Sequence, residues 1–316
     1  RQIDYRVAHI SAVAGGVYTH ADDEWSLLRI RLINRQDQPL EVLCASYFEG
    51  EATQQYGRRL WMPANSRIQT WYPIRIPRLS DPGQSQVLVH TMVSTASDGE
   101  QTFVRDDGGR LQFSDSLRVT RHLHMTGIVT PASADASGEP PVRPADLAAT
   151  AQLELRLPRA ITTFGDRLLT PTDEGLRPFG QIILADDRLL GDEAALSALR
   201  HWLFDGGRLW VMLDRVDAEL LDALLHDVSG CQVVDSITLN DVNIEPGPDS
   251  SIDERTSVQF EQPVRLVRVL LDDEQVKFTV NGWPAAFVRE YGAGQVLVTT
   301  LESTAWVTRD PSGPAG

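Results

Sequence analysis

The clearest alternation of apolar and polar positions lies between Phe179 and Asp214. Gln181–Ala185 and Arg208–Leu213 are near-continuous apolar runs, the pattern of strands covered on both faces. Between them Ala195, Leu196, Leu199, Trp202 and Leu203 recur at steps of three and four, which marks one face of a helix. Asp192 is placed to cap its start, and Gly206-Gly207 to end it in a left-handed turn. The segment predicts one βαβ unit of a parallel sheet.

Upstream the period is two. Trp25–Ile33 and Leu40–Phe48 read as strands flanking the turn sequence Asn34–Pro39. Ser66–Ile76, Gln86–Val93, Gln101–Val104 and Arg110–Phe113 continue the series, the last two around the hairpin turn Asp106-Asp-Gly-Gly109. This spacing predicts an antiparallel, immunoglobulin-like β-sandwich over residues 1–120. Leu117–Thr130 is expected to run from its last strand into the first strand of the next domain. Ser133–Arg143, rich in Pro, Ala, Ser and acidic residues, is the expected mobile segment and first proteolytic site. Pro144–Arg156 carries a weak helical pattern, although Gln152–Leu157 also alternates like a strand.

Past the βαβ unit, Leu220, Leu221, Leu224, Leu225 and Val228 fall on one face of a helix over Asp217–Val228, with Gly230 as its cap. Beyond Cys231, strands are expected at Val258–Phe260, Val264–Leu271 and Val276–Val280. A final pair, Ala285–Glu290 and Gln295–Leu301, is joined by Tyr291–Gly294. The acidic run Asp241–Glu254 lacks the spacing and central Gly of a calcium loop, and reads as a solvated loop.

Composition narrows the function classes. A chain of 316 residues exceeds the usual single core, so two domains are expected. The net charge of −15 argues against nucleic acid and against an anionic lipid surface. Lys277 is the only lysine, so nearly all positive charge is arginine, in keeping with a GC-rich genome. No apolar run reaches the eighteen or so residues that cross a bilayer. The start at Arg1 and the polar end at Pro311–Gly316 suggest a piece of a longer protein. A membrane-spanning segment is expected soon after residue 316, and another before Arg1. Cys44 and Cys231 fall in different predicted domains, which speaks against a disulfide.

Ile182–Asp187, the helix end Trp202–Gly207, Arg208–Leu213 and Trp283–Thr300 together resemble the class I glutamine amidotransferase-like fold. The likeness is greatest to its catalytically degenerate variants in membrane-anchored bacterial proteins. It implies a flavodoxin-like three-layer α/β domain over residues 121–305, followed by a tail at 306–316. Active members of that family carry a Gly-x-Cys-x-Gly turn, which exposes a thiolate at a helix N-terminus, and a later His-x-Glu. Here the turn after the Arg208 strand is Leu213-Asp-Arg-Val-Asp217, and His-x-Glu is absent. No catalytic residue transfers.

Several groups remain as candidates. Asp186, Asp187 and Asp214 lie at the carboxyl ends of two predicted strands, the edge where open α/β sheets bind ligands. They suit a hard cation such as Mg²⁺ or Ca²⁺, and equally suit helix caps and solvated strand ends. Cys231, near His226, is a thiol nucleophile only with an oriented base; otherwise it is a structural thiol. His122 and His124 alternate on one strand face, with His90 or His9 as conceivable third ligands, but two imidazoles do not specify zinc. Tyr47, Phe48, Tyr56, Trp61, Trp71 and Tyr72, with Arg58 and Arg59, form either a stacking platform or sandwich core. No set specifies a cofactor or metal. The resulting expectation is a non-catalytic extracytoplasmic module of a membrane-anchored envelope protein, acting through protein or glycan contacts. A metal-assisted hydrolase or amidotransferase-like enzyme and a carbohydrate-binding module are the alternatives.

Overall fold

The structure is a computed structural model. It describes residues 3–10, 12–14, 17–81, 83–97, 100–105, 109–120, 125–130, 144–154, 161–164, 172–225, 230–248, 255–272 and 275–306. The chain divides into two compact units, Arg1–Leu123 and His124–Gly316.

Among its described residues the first unit is all β. Its strands are β1 (Ile3–Ile10), β2 (Ala12–Ala14), β3 (Val17–Ala21), β4 (Trp25–Asn34) and β5 (Leu40–Phe48). They continue with β6 (Tyr56–Met62), β7 (Ser66–Arg75), β8 (Gln86–Ser97), β9 (Glu100–Val104) and β10 (Gln112–Thr120). β1-β4-β7 make a three-stranded antiparallel sheet. β2-β3-β10-β8-β5-β6, with β9 beside β8, make a seven-stranded one. Leu28, Ile30 and Leu32 of β4, Tyr72 and Ile74 of β7, and Val42, Cys44 and Phe48 of β5 share one core with Val89 and Val93 of β8. The period of two along each strand therefore closes two sheets into a sandwich. Inside it Ser46 Oγ bonds Tyr72 Oη at 2.6 Å and Thr91 Oγ1 at 2.5 Å, so the buried hydroxyls satisfy one another.

The second unit holds β11 (Met125–Val129), α1 (Pro144–Glu154), β12 (Ile161–Thr163), β13 (Phe179–Leu184), α2 (Glu193–Phe204), β14 (Arg208–Met212) and α3 (Ala218–Leu225). Five more strands follow: β15 (Cys231–Pro246), β16 (Thr256–Leu271), β17 (Gln275–Val280), β18 (Trp283–Tyr291) and β19 (Gly294–Thr299). They form one nine-stranded sheet, ordered β12-β11-β13-β14-β19-β18-β17-β15-β16. Pairing is parallel from β12 to β19 and antiparallel from there to β16. β15 and β16 make a two-stranded ribbon whose pairing jumps at Val233/Asp235 and Leu239/Asp241.

The expected helix between β13 and β14 forms as read. Asp192 Oδ1 accepts from Ala195 N at 3.0 Å, and Ala195, Leu196, Leu199, Trp202 and Leu203 are buried. Gly206 supplies the left-handed turn at φ +115°.

The amidotransferase-like, flavodoxin-like expectation is overturned. Strands dominate the chain, and among the described residues the α-helices number three, of 11, 12 and 8 residues. A sheet nine strands wide spans roughly 38 Å, while one helix covers about 10 Å, so three short helices cannot build a full layer on each face. The βαβ pattern holds for β13, α2 and β14, whereas the strands from Cys231 to Tyr291 form an antiparallel extension of the sheet. The acidic run is corrected as well: Asp241–Pro246 belong to β15, a strand that continues unbroken from Cys231. β6 was not anticipated either. His122, His124, Ser133–Arg143, His226, Asp249, Asp253 and Glu254 lie outside the described residues, as do Asp106 and Asp107 of the predicted hairpin turn.

Candidate functional site

The candidate site is a cavity of about 480 Å³ in the second unit. Its lining includes Asp187 beyond β13, Asp214 and Asp217 beyond β14, and Ser236, Arg265 and Val267 of the β15–β16 ribbon. Parallel strands that end together place their following turns side by side, which brings residues distant in sequence to this edge.

Asp187 and Asp214 therefore do come together around one cavity, and Asp186 is not among its lining residues. Asp186 instead accepts from Arg188 N at 3.0 Å, an Asx turn. Asp187 Oδ1 accepts from Asp217 N at 2.6 Å, and Asp217 Oδ1 accepts from Glu219 N at 3.1 Å at the start of α3. Burial raises the Asp187 carboxyl above its ordinary value, and the neighbouring charges of Asp217 and Asp186 push the same way.

Asp214 is the least ordinary group. Its side chain is only 3% exposed, Oδ2 accepts from Ser303 N at 3.2 Å, and Arg215 Nε lies 3.7 Å from Oδ2. Oδ1 is buried without a hydrogen-bond partner. Burial raises this carboxyl, while the Ser303 N–H and the Arg215 guanidinium oppose the rise. Arg215 also donates to Ser303 Oγ at 2.8 Å. Arg265 donates to Ser236 Oγ at 2.7 Å, and its backbone N–H donates to Glu302 Oε2 at 2.8 Å. Arg215, Arg265, Glu302 and Ser303 were not anticipated. Arg265 sits in an alternating strand where a solvated cation is ordinary, and Glu302-Ser303 follow β19, some ninety residues from Asp214.

Among the described residues, no three His, Cys, Asp or Glu side chains converge as a metal centre requires. Asp187, Asp214 and Asp217 each already take a backbone N–H, and Asp235, the fourth carboxylate of the lining, is paired with Arg268. His90, offered as a third imidazole ligand, has Nδ1 2.8 Å from Ser114 Oγ and 2.6 Å from Gln112 Nε2. Cys231 is half-buried, and burial, with Asp222 nearby, pushes its thiol up to about 11. Cys44 is buried in the sandwich, its thiol pushed up to about 12. Neither is an activated nucleophile.

The aromatic group divides. Phe48 and Tyr72 are core, and Tyr56 packs edge-on against Phe48 and Trp25. Tyr47 lies 5.1 Å from the His90 ring and donates to Gln112 Oε1 at 2.9 Å. Trp71 carries the Arg58 guanidinium 5.4 Å above its ring. Trp61, 65% exposed, is the outlying member, and Arg59 beside it pairs with Glu41 at 3.5 Å.

No protein-family model matches the chain, and no curated protein matches it. Among solved structures it is similar to two from Salmonella typhimurium, the cytoplasmic proteins STM3548 and STM1381. The first is 13% identical with a TM-score of 0.43, covering 56% of this chain and 87% of that one. The second is 14% identical with a TM-score of 0.41, covering 56% and 88%. Likenesses this distant carry no functional argument.

Proposed function

We propose that the protein is a non-catalytic binding module that works through protein or glycan contacts. One observation carries this reading: every carboxylate of the cleft is engaged by the fold through at least one oxygen, Asp235 by Arg268 and the others by backbone N–H groups. Asp187 holds the turn before α3, Asp217 holds the start of that helix, and Asp214 holds the segment after β19. A general acid or base must reach a substrate proton, and a nucleophile needs a base and oxyanion donors around it. Here Asp187 Oδ1, Asp217 Oδ1 and Asp214 Oδ2 are engaged in bonds from backbone N–H groups, Asp214 Oδ1 is buried, and both thiols are raised well above neutrality. The envelope placement implied by the family resemblance loses its support with that resemblance, so the reading stands without a compartment.

The test is a turnover screen of the purified chain with glutamine, ester, glycoside and phosphate substrates, with and without Mg²⁺ or Ca²⁺. The expected result is background turnover throughout. Metal-dependent turnover abolished by Asp187→Asn or Asp214→Asn would overturn the reading in favour of a hydrolase.

A further inference from the structure

The three-stranded sheet of the first unit has an outward face unlike the rest of this acidic chain. In β4, Leu28, Ile30 and Leu32 point into the core, so Trp25 and Arg31 stand on the opposite face. In β7, Thr70, Tyr72 and Ile74 are buried, which puts Arg67, Gln69, Trp71 and Arg75 on that same outer face. The register sets Trp25 opposite Arg75 and Arg31 opposite Gln69. From the edge strand β6, Arg58 reaches over Trp71 and joins the group. β1, β4 and β7 together contain five arginines and one acidic residue, Asp4, in a chain with 44 acidic against 29 basic residues.

One of these cations is neutralised within the chain. Arg75 pairs with Asp23 at 2.8 Å, and Arg31 donates to Gln69 at 3.4 Å. Among the described residues Arg67 makes no ion pair. Arg67 and Arg75 are separated by roughly 26 Å along one strand, a length that suits a polymer rather than a single ion.

We propose that this face binds a carboxylated polysaccharide, its uronate groups meeting Arg31, Arg67 and Arg75. The inference deepens the binding-module reading and rests on it. Guanidinium forks match carboxylates bidentately. The half-buried Trp25 and Trp71 and the amide of Gln69 supply apolar and hydrogen-bonding surface between the cations. An extended acidic peptide would bind by adding a strand to β7, but that edge is in use. Trp71 O accepts from Arg58 at 2.8 Å and Arg75 O accepts from Tyr56 Oη at 3.2 Å. The net charge of −15 opposes every polyanion, and duplex nucleic acid, with about one charge per 1.7 Å of axis, most strongly.

The experiment is affinity electrophoresis and calorimetry of the full 316-residue chain with polygalacturonate, and with dextran, poly-glutamate and poly-dT as comparisons. Expected is polygalacturonate binding that weakens with salt, falls at least tenfold in Arg67→Gln/Arg75→Gln, and is recovered in part by lysine at both positions. Circular dichroism checks that each variant keeps its fold. Absence of polygalacturonate binding, binding unchanged in the glutamine variant, or preference for poly-glutamate or poly-dT would each overturn the proposal. Depolymerisation of the bound polymer would instead overturn the non-catalytic reading while leaving the binding face in place.

Discussion

Gly207→Ala tests how the one βαβ unit is locked. Gly206 is needed for its left-handed backbone, whereas Gly207 is needed for space. A Cβ there would lie 2.5 Å from Cδ2 of Trp202 and 2.6 Å from Cε2 and Cε3. Carbon atoms pack best at about 3.5–4.0 Å, so the overlap is roughly 1 Å. The indole cannot easily yield, because it is buried and its Nε1 donates to Phe179 O at 3.1 Å. Tilting it would strand a buried carbonyl at a cost of about 1–3 kcal/mol. Moving the backbone would pull on Gln295 N, which donates to Gly207 O at 3.1 Å and ties β14 to β19. Either route costs about 2–3 kcal/mol, the upper part of the range for overpacking. Urea unfolding followed by far-UV circular dichroism and tryptophan fluorescence reads the loss as a lowered midpoint. Trp202→Leu alone should cost about 3 kcal/mol, and in that background Gly207→Ala should cost under about 1 kcal/mol. Equal cost of Gly207→Ala in both backgrounds would refute the steric account.

Three further outcomes follow from the same geometry. Gly294→Ala would place a Cβ 2.0 Å from Leu203 O and 2.5 Å from Gly207 O, both backbone. It should lose about 3 kcal/mol or more in urea unfolding, and Trp202→Leu should not rescue it. Asp214 has a carboxyl raised in the folded state, so the native protein holds its proton to higher pH than the unfolded chain does. Its contribution to stability therefore falls as pH rises from about 4 through the folded value, and Asp214→Asn should raise the melting midpoint at pH 7 but not at pH 3. Parallel stability–pH curves for the two proteins between pH 4 and 7 would contradict this. Cys231, raised to about 11, should react slowly with iodoacetamide at pH 7, about tenfold faster per pH unit, by mass spectrometry. Cys231→Ser should change stability alone, and fast labelling at pH 7 would count against the masked-thiol reading.

What could be read in the sequence was local. The strand at Leu40–Phe48 and the helix ending at Gly206-Gly207 are fixed by periods of two and 3.6 and by residues at their ends. Legibility failed where long-range pairing decides. Cys231–Pro246 carries Asp235, Asn240, Asp241 and Asn243, poor strand formers, yet β16 pairs with it along most of its length. The same limit applies to the cavity. Asp187 and Asp214 were visible as strand-end carboxylates, but the bonds that engage them come from Asp217 and Ser303. Arginines spread over β4, β6 and β7 became a single surface only through register.

The ends of the nine-stranded sheet bear on whether copies of this chain can pair edge to edge. A sheet edge is a row of unpaired N–H and C=O groups on which another strand can grow. At one side the terminal strand, β12, is three residues long. At the other, β16 carries Pro263, Arg265 and Arg268, with Pro263 inside the stretch where pairing jumps from Leu239↔Val264 to Asp241↔Gln259. Near that jump Glu302 N donates to Arg265 O, and Val267 N donates to Thr300 O, so part of the outer edge is already satisfied within the chain. Strand-on-strand aggregation then has to wait for the ribbon to detach. Conditions that loosen β15 and β16, rather than high protein concentration alone, should set the onset of fibril formation.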